Sequence, residues 1–276
     1  MKRRRFIALL GSSAALAATP TIRAQSFEST WERVNSTKII RVGAVASSSP
    51  YYVQDIATGQ WKGCMAEFYQ GLADSLGCKL QISTTTWGNA VLDLQSNKSD
   101  LFFGLNPTPA RKLVIDFTDP TLNIAYTMIT QKLTGVHTWD ALNSAQYTIA
   151  VDQGSSHDQL ATRILTKAKI IRVETVADAA MAVQTGRADA QIIVLPLALA
   201  LTKKNPAIGT MVVPTPYEYA TSNGGVRKEP DQRWLQHIDA YLESERQKGN
   251  LKKIFLRNLK ALSGIDPSSI PSDLNL

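Results

Sequence analysis

Leu101-Phe102-Phe103-Gly104-Leu105-Asn106-Pro107-Thr108-Pro109-Ala110-Arg111 is the stretch from which the rest of the chain can be read. Its apolar start, with two phenylalanines, predicts a buried strand. The run breaks at Gly104 and Asn106. Thr108 and Pro109 then signal a helix start, the hydroxyl residue as N-cap and the proline at the first helical position. Arg111 falls in the first turn of that helix, the end at which the macrodipole disfavours a cation. A guanidinium set against its local electrostatics is best explained by a partner, a planar carboxylate or phosphate gripped by two parallel hydrogen bonds. The competing reading is a solvated surface arginine, the common fate of a charged side chain.

Outward from this stretch the chain alternates strands and helices. Residues 38–45 read as a first strand, entering the loop Ser47-Ser48-Ser49-Pro50 that precedes Tyr51 and Tyr52. Met65, Phe68, Leu72 and Leu76 recur at helical spacing, and Gly77 closes that helix. Residues 79–83 form a second strand, and Trp87 opens a short helix that stops at Asn97. Residues 147–151 read as another strand, followed by Gly154-Ser155-Ser156-His157, where Ser156 and Gln159 fit a capping box. A helix starting there leaves free backbone N–H groups, a ready anion site, although the same residues also describe an ordinary capped helix. His157 falls in the first turn of that helix.

One pattern occurs twice. Leu94-Gln95-Ser96-Asn97-Lys98-Ser99-Asp100 precedes the strand at 101–105, and Val183-Gln184-Thr185-Gly186-Arg187-Ala188-Asp189 precedes a strand at 190–195. Each reads as helix, tight turn on Asn or Gly, aspartate, buried strand. Two α/β units of the same grammar would offer their strand ends to a shared crevice, where ligands of open α/β sheets sit.

The chain has 276 residues, 44% of them hydrophobic, enough for two modest domains. Met1-Lys2-Arg3-Arg4-Arg5, a mildly apolar stretch to Ala18, and Thr21-Ile22-Arg23-Ala24 have the layout of an export signal, cut after Ala24. The basic start fits either a twin-arginine or a Sec signal. Removing residues 1–24 takes five cations and no acids, lowering the formal charge from +7 to +2, so nothing argues for nucleic acid as a partner. Cys64 and Cys78 flank a helix expected at 65–76, which would hold their sulfurs roughly 15–20 Å apart. That excludes a disulfide, so two separate thiols are expected. His137, His157 and His237 have no metal-ligand spacing, and no Gly-x-Ser-x-Gly elbow or phosphate loop occurs. No metal, cofactor or catalytic residue is expected.

Thr108-Pro109-Ala110-Arg111-Lys112, followed by Ile115-Asp116-Phe117-Thr118-Asp119-Pro120, closely resembles a signature of the polar-amino-acid-type solute-binding proteins of ABC importers. Gly224-Gly225-Val226-Arg227-Lys228 and Gly249-Asn250-Leu251-Lys252-Lys253-Ile254-Phe255 resemble that family's returning strand and closing segment, so the likeness covers roughly residues 38–258. It implies an α/β two-lobed periplasmic-binding-protein clamshell, each lobe an open β-sheet flanked by helices, joined by a two-stranded hinge. The implied layout is a signal peptide at 1–24 and a loose polar lead-in at 25–37. Lobe 1 follows at 38–130, lobe 2 at 131–213, the return to lobe 1 with C-terminal helices at 214–262, and a tail at 263–276. The implied protein is a periplasmic monomer that captures a small carboxylate-bearing solute and delivers it to an ABC permease in the inner membrane.

Carried over residue by residue, the resemblance gives Arg111 the carboxylate grip and Gly104 and Asn106 backbone and amide contacts. Thr108 caps the arginine's helix, and Ser155 and Ser156 supply the second half of the grip. Trp87 sits where the family keeps an aromatic over the ligand, though a tryptophan before a helix also reads as core. Ser48 and Tyr51 flank Pro50 in the loop expected at the ligand. Three positions depart from the pattern. The acid that usually holds an α-amino group is replaced by Val194, a second acid by Ala46 or Val45, and an aromatic by Ser48. An α-ammonium enclosed without a carboxylate would be an unpaired buried charge costing several kcal/mol. Asp152 is the best substitute and Glu218 a weaker one. Two rivals stand beside transport: a ligand-sensing protein working through a separate receptor, and an enzyme resembling cyclohexadienyl dehydratase. The latter is disfavoured because Val194 occupies the slot where a proton-transferring acid is required.

Overall fold

The computed structural model describes residues 28–46 and 48–269. The expected export signal lies outside these residues, as do Ser47 and the second half of the expected tail. The chain opens with α1 (Thr30–Thr37), β1 (Ile39–Ala44), β2 (Val53–Gln54), β3 (Trp61–Lys62), α2 (Cys64–Leu76), β4 (Lys79–Thr84) and α3 (Asn89–Gln95). It continues through β5 (Phe102–Leu105), α4 (Pro109–Lys112), β6 (Ile115–Thr130), α5 (Trp139–Leu142), β7 (Thr148–Asp152), α6 (Ser156–Ile164), β8 (Lys169–Val173) and α7 (Val176–Gln184). Then come β9 (Ala190–Val194), α8 (Leu195–Lys204), β10 (Thr210–Val212), β11 (Tyr219–Arg227), α9 (Arg233–Gln247) and α10 (Asn250–Ser263).

Strand β6 organises these elements, because it belongs to both lobes. Its first part pairs antiparallel with β11, from Ile115 opposite Arg227 to Ala125 opposite Tyr219. From Tyr126 it pairs with β9 instead, Tyr126 opposite Val194 and Thr130 opposite Ala190, while β10 takes its other edge. Lobe 1 is completed by β5 beside β11 and by the parallel pair β1–β4, tied to the sheet through a bridge between Val42 and Leu101. Lobe 2 is completed by β7 and β8, parallel to each other and to β9. Each lobe is thus an open sheet with helices packed on it, the two-lobed α/β architecture expected. The strands continue into each other at Ala125–Tyr126, which makes a hinge of β6.

The repeated sequence pattern folds into the same local structure twice. Asn97 (φ 59°) and Gly186 (φ 73°) both turn left-handed, conformations that Asn and Gly adopt at least cost. In lobe 1 the Asp100 backbone N–H donates to the Arg41 carbonyl (2.8 Å), and the Arg41 N–H donates back to the Asp100 carboxylate (2.6 Å). In lobe 2 Asp189 and Thr148 exchange the same two bonds, at 2.7 and 2.8 Å. The aspartate therefore closes the parallel pairing at its N-terminal end, one residue before Val42 meets Leu101 in lobe 1 and Ile149 meets Ala190 in lobe 2.

The stretch at 30–37 departs from the expected loose lead-in. Ser29 and Glu32 form a complete capping box, and Val34 is buried. Trp31 lies 5.3 Å from the His237 ring, and the Thr30 N–H is taken by Glu229. The helix is held by long-range contacts that its polar composition conceals. At the other end, α10 runs to Ser263, whose hydroxyl meets that of Ser49 (2.8 Å), so the first residue of the expected tail is packed on lobe 1. Cys64 and Cys78 are both free thiols, as their separation along α2 requires.

Candidate functional site

Arg111 lies where the sequence places it, in the first turn of α4, with Thr108 as N-cap accepting its N–H and Pro109 at the first position. Its side chain turns inward and is only 4% exposed. Nη1 donates to the Asn106 carbonyl (3.2 Å), and Nη2 donates to the carbonyls of Trp87 (3.1 Å) and Gly154 (3.2 Å). Nε has no partner. Burial pushes the guanidinium down to about 10, while Tyr126 and Asp152 pull it upward. No carboxylate touches it: every bond it makes goes to a neutral carbonyl. A cation taken out of water without a counter-ion costs several kcal/mol, and Arg111 is held in that state.

The Arg111 bond to Gly154 crosses from lobe 1 to lobe 2. A second crossing bond runs from the Ser156 hydroxyl to Asn106 Oδ1 (2.6 Å), and Asn106 is itself pinned to the Thr221 carbonyl (2.8 Å). The lobes meet backbone to backbone at Gly88 and Gly154, where a methyl on Gly88 would sit 2.7 Å from the Gln153 carbonyl oxygen. This is a closed clamshell. Between its halves is a chamber of about 10 Å³, room for about one water. Tyr51, Trp87, Gly104, Asn106, Arg111, Ser155, Ser156 and Val194 border it. On the far side of Asn106 and Ser156 a wider cleft of about 690 Å³ opens toward Tyr126, Glu218 and Tyr219, so the Ser156–Asn106 bond is the door between the two spaces.

Four residues offered for the site lie elsewhere. Ser48 is buried in a bridge to Tyr52 and does not border the chamber. Thr108 lines the outer cleft. Asp152 was expected to face the ligand, but its carboxylate is bonded to His157 Nδ1 (2.7 Å) with a side chain 3% exposed, and it is absent from the chamber wall. Glu218 lies in the outer cleft, paired with Arg163 (2.7 Å). The helix cap also shifts by one residue. Ser155, not Ser156, is the N-cap of α6, accepting the Asp158 N–H (3.1 Å). Asp158 in turn accepts from Gly154 N–H and from Arg172, so the first turn is built around this acid and the Ser156 hydroxyl is left to reach across the cleft.

His157, Ile124 and Leu197 border the chamber without having been foreseen. The Val194 N–H donates to His157 Nε2 (3.2 Å), so the proton on Nδ1 is the one given to Asp152. The imidazole thus ties the end of β7 to the end of β9, with Tyr126 edge-on at 6.2 Å. The spacing of Asp152 and His157 held a signal, an acid at a strand end five residues before a histidine in the next helical turn. Ile124 lies within the long strand β6, at the start of a stretch buried from Ile124 to Thr130, where nothing local sets it apart from its neighbours.

A family model described as bacterial extracellular solute-binding proteins, family 3, matches residues 40–261. The cyclohexadienyl dehydratase of Pseudomonas aeruginosa is 23% identical over 242 residues, 87% of this chain and 88% of that protein. A probable histidine-binding protein of Neisseria gonorrhoeae is 24% identical over 227 residues, 81% of this chain and 84% of the relative. Among solved structures, an ancestral amino acid-binding protein described as a precursor of cyclohexadienyl dehydratase is 29% identical, with a TM-score of 0.75 over 84% of this chain and 100% of that one.

Proposed function

Since the chain belongs to the bacterial extracellular solute-binding proteins of family 3, we propose that it captures a small carboxylate-bearing solute between its lobes and delivers it to the permease of an ABC importer. It works as an exported monomer in the periplasm, and it binds without chemistry. The observation that carries this reading is Arg111, a buried guanidinium whose partners are all neutral and one of whose N–H groups has none. A carboxylate entering between the lobes would displace the Gly154 carbonyl from Nη2 and meet the hydroxyls of Ser155 and Ser156 on the opposite wall. Bidentate capture by arginine is the strongest form of this contact.

The P. aeruginosa relative keeps a second reading open, and one feature of the site favours it: a buried His157–Asp152 pair touches the chamber. The same feature limits it. Nε2, the nitrogen that would have to accept a substrate proton, already holds the Val194 N–H. A sensing role would use the same capture with a receptor in place of the permease, and neighbouring permease and ATPase genes would favour transport.

Calorimetry with a panel of organic acids and amino acids, on the parent chain and on Arg111→Ala and Asp152→Asn variants, tests the proposal. The expected result is one tight ligand bearing a carboxylate, lost in Arg111→Ala and retained in Asp152→Asn. Undiminished affinity in Arg111→Ala would refute the grip, and consumption of the ligand during the titration would move the protein to the enzyme reading.

A further inference from the structure

The chamber wall is unbalanced between donors and acceptors. Three residues that border it each carry a buried donor with no partner: Arg111 Nε, Trp87 Nε1 and the Tyr51 hydroxyl. Tyr51 and Trp87 stand edge to face, 6.3 Å between ring centres, and form one side of the space. Ser155 accepts the Asp158 N–H, which leaves its hydroxyl proton free to donate. The amide and imidazole acceptors on this wall already hold a partner, and what remains uncommitted there are hydroxyls. Asn106 Oδ1 receives Ser156, and His157 Nε2 receives the Val194 N–H. The Asp152 carboxylate is turned to His157 and does not border the chamber. Val194, Ile124 and Leu197 supply the rest, and no side chain on this wall carries a negative charge.

Buried donors without partners are rare in folded proteins, and three around one small space mark a site shaped for acceptors. An ammonium group brings three donors and a full positive charge, and the lining offers it neutral hydroxyls and apolar carbons beside the Arg111 cation, with no carboxylate to balance it. Resting on the carboxylate reading above, we infer that the solute is an organic acid without an α-ammonium group. Its carboxylate meets Arg111, a further oxygen acceptor meets Tyr51 and Trp87, and an apolar body lies against Val194, Ile124 and Leu197. The 2-oxo and 2-hydroxy acids have this chemistry, and the amino acids of the same carbon skeleton do not.

Matched pairs test it: phenylpyruvate with L-phenylalanine, 4-methyl-2-oxopentanoate with L-leucine, 2-oxoglutarate with L-glutamate, and the 2-hydroxy acid of each, all by calorimetry on the full chain after export. The amine-free member of the best pair is expected to bind on the order of 100-fold more tightly, the discrimination typical of a site that would leave a charge unpaired. Tyr51→Phe, which keeps the ring, should weaken that acid about 3- to 10-fold. Val194→Asp should narrow or reverse the preference by supplying the missing acid. An amino acid that equals or beats its amine-free partner overturns the inference and leaves the carboxylate grip standing. An unchanged affinity in Tyr51→Phe overturns the second acceptor. A panel in which no acid binds through Arg111, with or without the amine, removes the carboxylate reading and this inference with it.

Discussion

At Arg111 a functional residue can be told from a structural one, because under the proposed grip its contributions to stability and to binding have opposite signs. A buried cation bonded only to carbonyls is a cost to the folded protein, and replacing such a group with an apolar side chain of similar size is often neutral or stabilising. Arg111→Met should therefore leave the melting temperature of the unliganded protein unchanged or higher while reducing solute affinity on the order of 100-fold or more. A melting temperature that falls along with the affinity would make Arg111 a structural residue. The pH dependence follows from the same burial. The free protein holds this proton less firmly than usual, with the guanidinium pushed down to about 10, and a bound carboxylate raises it again. Affinity should accordingly be level between about pH 6 and 8.5, where both partners are charged, and fall as the pH passes about 10, where the free protein releases the proton. Calorimetry in buffers spanning that range reads it directly, and a loss of affinity already below pH 8 would assign the dependence to another group. At this scale the sequence was informative about backbone position and less so about side-chain direction. Arg111, Trp87, Tyr51 and Val194 could be placed because a turn or a strand end fixes where each begins. The bond between Asp152 and His157 could not, because it depends on how β7 and β9 are spaced, and that is decided by the sheet between them.

Elements whose apolar residues repeat at a regular period were legible in the sequence, and those held by contacts from far along the chain were not. The helix over Met65, Phe68 and Leu72 starts at Cys64, within one residue of expectation, because its buried stripe and its closing glycine are both local. The pattern shared by Asp100 and Asp189 was legible for the same reason. The helix at Thr30–Thr37 was not, since it has one buried apolar residue and owes its place to Glu229 and His237, about 200 positions away along the chain. Its capping box was nevertheless written in the sequence as Ser29 and Glu32. Ser29→Ala removes the acceptor for the Glu32 N–H (3.2 Å) and should cost about 1 kcal/mol, a fall of roughly 2–4 °C in melting temperature for a chain of this size. Solute affinity should not change, because α1 packs on the back of lobe 1, away from the chamber. Thermal melts with and without solute make the comparison, and a drop in affinity would mean that α1 is coupled to the site.

Taken whole, the molecule is two lobes sharing one long strand, and in the proposed capture the lobes part and close about that strand. The closed form leaves a chamber with room for about one water, so any carboxylic acid has to enter while the lobes are apart. On closing, it takes over bonds that the protein now makes with itself, Arg111 to Gly154 and Ser156 to Asn106. Self-made and solute-made closure compete for the same donors, and apparent affinity is lowered by whatever fraction of the free protein is already shut. What both forms of closure require is the approach of Gly88 to Gly154. Gly88→Ala puts a methyl 2.7 Å from the Gln153 carbonyl oxygen, too close for any side-chain carbon, on a surface that is free of this clash when the lobes part. Gly88 has φ −73° and ψ −45°, so alanine is at ease there in the open form and the substitution acts on closure alone. The variant should fold normally and lose solute affinity by about tenfold or more. In small-angle X-ray scattering it should keep an extended radius of gyration at solute concentrations that compact the parent chain. A variant that compacts like the parent would show that the lobes close on the solute without bringing these two glycines together.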